Sequence, residues 1–179
     1  SRLTGAKPAI AEHPYTTTRP EVGMMDYRGV KVQIVEIPAT FDPEHLSIAR
    51  SAELIVIITR HDREEAALRK KLQNNFIRTK SISANPFSEP ADHIKEKIWH
   101  ALGLMIVYSK KKQADAKGGG RATPMALPIN STIKDFAQRI HKDFVKNFRF
   151  ARISRGGRAI QAGLSYKLQD NDVVEIYAN

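Results

Sequence analysis

A charged, glycine-bearing break at residues 110–121 constrains this chain more than any other feature. It reads Lys-Lys-Lys-Gln-Ala-Asp-Ala-Lys-Gly-Gly-Gly-Arg. Three consecutive glycines leave the backbone free, and no large apolar side chain ties the segment to a core. The chain on either side is patterned differently. The expected organisation is therefore residues 1–112, a flexible linker at 113–122, and residues 123–179. A chain of 179 residues has room for two small units. No internal repeat is visible at a solenoid-like period.

Before the break, strand and helix patterns alternate. Residues 30–37 begin with strict alternation and turn apolar, as a strand with one buried end does. Residues 53–59 carry an unbroken β-branched run from Ile55 to Thr59, which predicts a strand covered on both faces. A weaker strand is expected at 76–83 and another at 104–109, leading into the break. Helical spacing marks 43–52, 63–74 and 90–102, the last ending at Gly103 as a C-terminal cap. Alternation of this kind predicts an α/β unit with a mostly parallel sheet and flanking helices.

After the break the pattern changes. A short strand is expected at 125–129, and Asn130-Ser131 supplies capping chemistry. Ile133, Phe136, Ala137, Ile140 and Phe144 then form one apolar stripe, predicting a helix over 132–144. Strands follow at 148–154, 158–161 and 173–177, with Asp170-Asn171-Asp172 as the turn before the last. A small mixed sheet crossed by one long helix accounts for this unit.

Charge narrows the partners. Lys plus Arg number 29 against 19 acids, a net charge of +10. From Lys134 to Arg158 there are eight bases and two acids, Asp135 and Asp143. Such an excess suits a polyanion, nucleic acid before anionic lipid. Arg139, Lys142 and Lys146 recur at helical spacing, and Arg149, Arg152, Arg155 and Arg158 extend the run. Arginine forks match phosphate oxygens, so these seven are the candidate RNA-binding residues. Phe148, Phe150 and Tyr177 lie near them as sheet core or, alternatively, as stacking platforms. Gly156-Gly157 permits a tight hairpin.

Other chemistries find little support. The absence of cysteine excludes disulfides, thiolate metal sites and a thiol nucleophile. Apolar runs such as residues 54–58 are too short to span a bilayer, and no basic-then-apolar leader opens the sequence. A cytoplasmic protein without membrane attachment is the expectation. His13, His45, His61, His93, His100 and His141 show no compact ligand spacing. Asp170 and Asp172 read as turn formers rather than an acid/base pair. No catalytic residue, metal site or cofactor is assigned.

Longer motifs carry a resemblance. Leu3-Thr-Gly-Ala-Lys-Pro8, His13-Pro-Tyr-Thr-Thr-Thr-Arg-Pro20 and the stretch from Gly23 to Pro38 resemble the Obg-related GTPases. Within these, the developmentally regulated GTP-binding (DRG) branch and its archaeal relatives match best. His45-Leu-Ser-Ile-Ala-Arg-Ser-Ala-Glu-Leu-Ile-Val-Ile57, Ser81-Ile-Ser-Ala84 and residues 98–110 continue the likeness. Residues 130–144 resemble the start of a TGS domain, a ubiquitin-like β-grasp shared with threonyl-tRNA synthetases and stringent-response enzymes. The resemblance implies a P-loop-GTPase-like sheet, here degenerate, followed by a TGS domain. It also implies ribosome association, with rRNA or tRNA and ribosomal proteins as partners.

Several positions depart from that family. The phosphate-binding Gly-x-x-x-x-Gly-Lys-[Ser/Thr] string is not present, and in the family it precedes the position of Leu3. Ser1 is a residue left exposed by initiator-Met removal, which fits a native start. Glu36-Ile-Pro-Ala39 stands where the family has Asp-x-Pro-Gly, and alanine's Cβ obstructs the close approach that glycine permits. A shortened switch loop follows at Thr40–Glu44. Only 21 residues, 60–80, separate Thr59 from Ser81, where the family carries its guanine-reading strand. Asp62 is not expected to read guanine. Thr16, Thr17, Glu36, Ala39, Ser83 and Ala84 are then remnants of a nucleotide site, and Thr18 belongs with the threonines. The expectation is a pseudo-GTPase, not an enzyme, acting as a ribosome-associated RNA-binding accessory protein. The alternatives are a fragment of an active DRG-like GTPase lacking its P-loop, or a protein-binding β-grasp adaptor.

Overall fold

The computed structural model describes residues 3–4, 20–38, 42–110 and 122–179. It divides into two units, Ser1–Leu102 and Gly103–Asn179.

The first unit opens with a hairpin that the sequence pattern did not announce. Strand β1 (Glu21–Tyr27) pairs antiparallel with β2 (Val30–Glu36). The turn holds only Arg28 (φ 52) and Gly29 (φ 87), both left-handed, which matches the strand twist. Asp26 accepts the Gly29 N–H at 3.1 Å. Met25 is fully buried, whereas Val22 and Met24 are exposed. The clustered apolar residues hide this alternation in the sequence.

Helix α1 (Pro43–Ser51), strand β3 (Ile55–Ile58), helix α2 (Asp62–Asn74), strand β4 (Ser81–Ala84) and helix α3 (Ala91–Leu102) follow. β3 and β4 pair directly and in parallel, Ile55 opposite Ser81. The continuous apolar run of β3 is explained by cover on both faces. Leu54 and Val56 join a core with Ile94 and Ile98 of α3. Ile55 and Ile57 join a second core with Ala49 of α1 and Leu72 of α2. The interval 60–80 holds α2 and no strand, so β4 closes straight onto β3. Arg69 of α2 reinforces that junction, donating to Ser81 Oγ at 3.1 Å and Ser83 Oγ at 2.9 Å. The α/β class stands. Among the described residues, however, the strands of this unit form one antiparallel and one parallel pair rather than a single parallel sheet.

The second unit is a five-stranded sheet in the order β6-β5-β9-β7-β8. Its strands are β5 (Leu104–Ser109), β6 (Thr123–Pro128), β7 (Phe148–Arg155), β8 (Arg158–Ala162) and β9 (Val173–Ala178). β5 and β9 are parallel and the other neighbours antiparallel. A helix between the first and second hairpins covers one face. This is a ubiquitin-like β-grasp.

That topology corrects the domain boundary. β5 was expected in the first unit, yet it pairs along its length with β6, Ser109 opposite Thr123. The break at 110–121 therefore joins two strands of one sheet, and the division falls at Leu102/Gly103. Composition alone does not say whether such a glycine-rich segment stands between two domains or between two strands of one sheet. The expected linker 113–122 lies outside the described residues except Ala122.

Helix α4 (Ile133–Ile140) buries Ile133, Phe136 and Ala137 against Met105, Val107, Leu127, Ala151, Ile153, Val174 and Ile176. Thr132 begins it with a capping box. The Thr132 backbone N–H donates to Asp135 Oδ2 at 2.7 Å, and Asp135 N–H donates to Thr132 Oγ1 at 3.4 Å. Replacing Thr132 with alanine should cost about 1 kcal/mol in urea denaturation. The Thr132 backbone N–H and the Thr132 hydroxyl, which donates to Asp135 Oδ2 at 2.8 Å, hold the Asp135 carboxyl below its ordinary pKa. A depressed folded-state pKa contributes stability above the unfolded value and loses it as pH falls. The T132A penalty should accordingly shrink below about pH 4. Among the described residues, no helix is long and apolar enough to cross a membrane.

Candidate nucleic-acid interface

The expected helix over 132–144 breaks after Ile140. His141 is extended (φ −166), and a separate four-residue turn of helix, α5 (Asp143–Lys146), follows. The break serves packing, since Ile140, Phe144 and Val145 all lie against the same core. Arg139, Lys142 and Lys146 therefore do not share one continuous helix face. Arg139 ends α4, Lys142 precedes α5 and Lys146 closes it.

The strands place the rest. Ala151 and Ile153 of β7 are fully buried beneath α4, so Arg152 between them points to the opposite, outer face. Arg152 sits across from Glu175 on one side and Gln161 on the other. Phe150 and Tyr177 occupy the same face and stack, with ring centroids 4.4 Å apart and planes 15° from parallel. Phe148 instead packs against the helix-side core. The three aromatics thus divide between the two readings, core for Phe148 and outer face for the other pair. Arg149 lies at an irregularity in the β7–β9 register, between Phe148 and Phe150. Gly156 (φ 53) and Gly157 (φ 78) make the tight turn from β7 to β8, which begins at Arg158.

Arg155 departs from the expected role. Its Nε and Nη2 each donate to a different oxygen of Asp172 at 2.7 Å, a forked ion pair. Asp172 is completely buried and also accepts the Gln169 N–H at 2.8 Å. The Arg155 guanidinium lies 5.8 Å from the centre of the Tyr166 ring. A guanidinium held this way is a structural cation and not an open phosphate contact. Asp172, read from sequence as a turn former, is the buried partner that the sequence analysis missed. The available signal was its spacing from Arg155, invisible without knowing that β7 and β9 are neighbours.

Arg139, Lys142, Lys146, Arg149, Arg152 and Arg158 are all exposed. Among the described residues, none of these six takes part in an ion pair. They are spread over both faces of one small unit, Arg152 on the outer face of the sheet and Arg139, Lys142 and Lys146 on the helix side, rather than gathered in a single pocket. A shallow cavity of about 540 Å³ lies beside Arg139, lined by Asn130, Ser131, Asp135 and Gln138 among others.

The positions aligned with a nucleotide site are dispersed in role. Thr16, Thr17, Thr18 and Ala39 lie outside the described residues. Glu36 ends β2, directly across from Glu21. Ser83 accepts from Arg69, Ala84 is buried in a core, and Asp62 starts α2. Among the described residues, no group of acids and histidines is placed to hold a metal ion.

Residues 105–178 match the TGS domain family. The chain is 35% identical over 88 residues to an uncharacterized GTP-binding protein of Methanocaldococcus jannaschii, covering 48% of this chain and 22% of that protein. It is 33% identical over 89 residues to Developmentally-regulated GTP-binding protein 1 of Xenopus laevis, covering 48% and 23%. It is 31% identical over 93 residues to Ribosome-interacting GTPase 1 of Saccharomyces cerevisiae, covering 48% and 23%. A solved GTP binding protein from Pyrococcus horikoshii aligns at 18% identity and TM-score 0.46, over 70% of this chain and 45% of that one. The matched stretch thus spans under a quarter of these curated relatives and lies in the TGS region. The relatives overturn the expectation that the chain is not an enzyme, since they are named as GTP-binding proteins and a GTPase.

Proposed function

We propose that this chain, whose residues 105–178 match the TGS domain, is a ribosome-associated protein of the DRG-like GTP-binding group. Its β-grasp unit attaches to ribosomal RNA, or to tRNA on the ribosome, within the cytoplasm. The observation that carries the reading is the set of six exposed cations from Arg139 to Arg158 on that unit. Their spread over helix, loop and strand suits a phosphate backbone, which presents charge at many points rather than one. The name of the yeast relative, a ribosome-interacting GTPase, supports the same partner. Ribosomal proteins next to the contacted RNA would complete the surface.

Sedimentation tests this directly. The tagged chain, expressed in its native cell and run on sucrose gradients, is expected in the ribosomal fractions at low salt. Raising the salt should release it to the top of the gradient, because each phosphate contact releases condensed counterions. Sedimentation as free protein at low salt would exclude ribosome attachment.

A further inference from the structure

The first unit carries an exposed aromatic in a backbone conformation that bulky side chains avoid. Helix α2 ends at Asn74, with Asn75 as its cap. The Phe76 N–H then donates to Gln73 O at 2.9 Å and the Ile77 N–H to Leu72 O at 3.0 Å. This is the paired closure that terminates helices with a left-handed residue, a position ordinarily filled by glycine. Here Phe76 fills it, at φ 55. The ring gains nothing from burial to offset that strain, being 83% exposed. Strain kept at an exposed aromatic is a pointer to function.

The surroundings specify the chemistry. Residues 69–80 contain five bases, Arg69, Lys70, Lys71, Arg78 and Lys80, and no acid. Arg50 of α1 joins them, its Nη2 donating to Asn75 O at 3.1 Å. Thr79 Oγ1 donates to Ala49 O at 3.0 Å, so the 75–79 segment is clamped to the end of α1. The Phe76 ring therefore projects from a fixed backbone, with the exposed Lys71 and Arg78 within five residues of it. A protein pocket for phenylalanine would gain little from such a charge field. Single-stranded nucleic acid uses both parts, phosphates on the cations and a base on the ring.

We propose that Phe76, with Lys71, Arg78 and Arg50 around it, forms a contact for single-stranded RNA in which the ring stacks on an unpaired base. This site belongs to the first unit, and the cations from Arg139 to Arg158 belong to the second. The clamped, left-handed backbone is in place before the ligand arrives, so little backbone freedom is lost on binding.

The test uses the full chain with a short fluorescein-labelled oligouridine and, in parallel, an RNA duplex of the same length. Phe76→Gly removes the ring and relaxes the backbone, so its melting temperature should rise by a few degrees. Its affinity for oligouridine should nevertheless fall about tenfold, the scale of one lost stacking contact. Duplex affinity should not change, because paired bases offer no free face. Phe76→Trp should bind oligouridine at least as well as the parent. Parental binding by Phe76→Gly, or equal losses on oligouridine and duplex, would overturn the proposal. Substitutions confined to the β-grasp cations leave this comparison intact, so the two sites can fail independently.

Discussion

Replacing Asp172 with alanine should unfold the β-grasp unit at a temperature about 15 °C below the parent. The carboxylate is completely buried and accepts three hydrogen bonds, two from Arg155 and one from the Gln169 backbone. Those bonds lock the start of β9 to the end of β7, where the β7–β8 hairpin turns away. Removing the acid leaves a guanidinium and a backbone donor without their acceptor. Breaking a buried pair from one side costs about 3–5 kcal/mol. The Arg155 side chain is 34% exposed and can turn to water, so the lower end applies. For a unit of this size each kcal/mol shifts the melting temperature by about 4–8 °C. Asp172→Asn keeps the shape and one acceptor oxygen, and should fall between parent and alanine variant. Circular-dichroism melting of the full chain reads all three. A shift of only a degree or two for Asp172→Ala would mean that the fork contributes little beyond its own desolvation.

Much of the second unit is legible from residues alone, because its signals are local. The stripe Ile133, Phe136, Ala137 and Ile140 has one amphipathic reading, and Gly156-Gly157 announces the hairpin that forms. What could not be read is long-range pairing. β5 is joined to the first unit by helix α3 with only Gly103 between them, yet its hydrogen bonds run to β6 and β9. The parallel β5–β9 contact unites residues more than sixty positions apart, and no pattern in either strand encodes its partner. The same blindness hid the Arg155–Asp172 fork. Arg155 falls in a run of arginines at spacing three, and spacing treats it like Arg152. Positions three apart on one strand point to opposite faces, but which of the two faces is buried follows only from the long-range pairing. In the first unit, by contrast, the β-branched run at 55–58 was readable as a doubly covered strand because burial on both faces leaves its own signature.

Of the seven cations read from the sequence, the structure leaves six exposed, and their joint effect on RNA binding should be large. Replacing Arg149, Arg152 and Arg158 with alanine removes three charges from strands β7 and β8 without touching the Arg155–Asp172 fork. Each lost contact to single-stranded RNA should flatten the slope of log K against log salt by about 0.7, so three flatten it by about 2. Where binding is governed by counterion release, that change weakens affinity about a hundredfold at 0.1 M salt and very little near 1 M. Melting should stay close to the parent, because exposed side chains away from packing change stability little. Adding Arg155→Ala to the triple variant separates the roles. It should lower the melting temperature sharply while adding little to the change in salt slope. A triple variant that keeps the parental slope would show that these cations are solvated charges only. A stable triple variant with the shallower slope would assign the β7–β8 hairpin of the β-grasp unit to the RNA backbone.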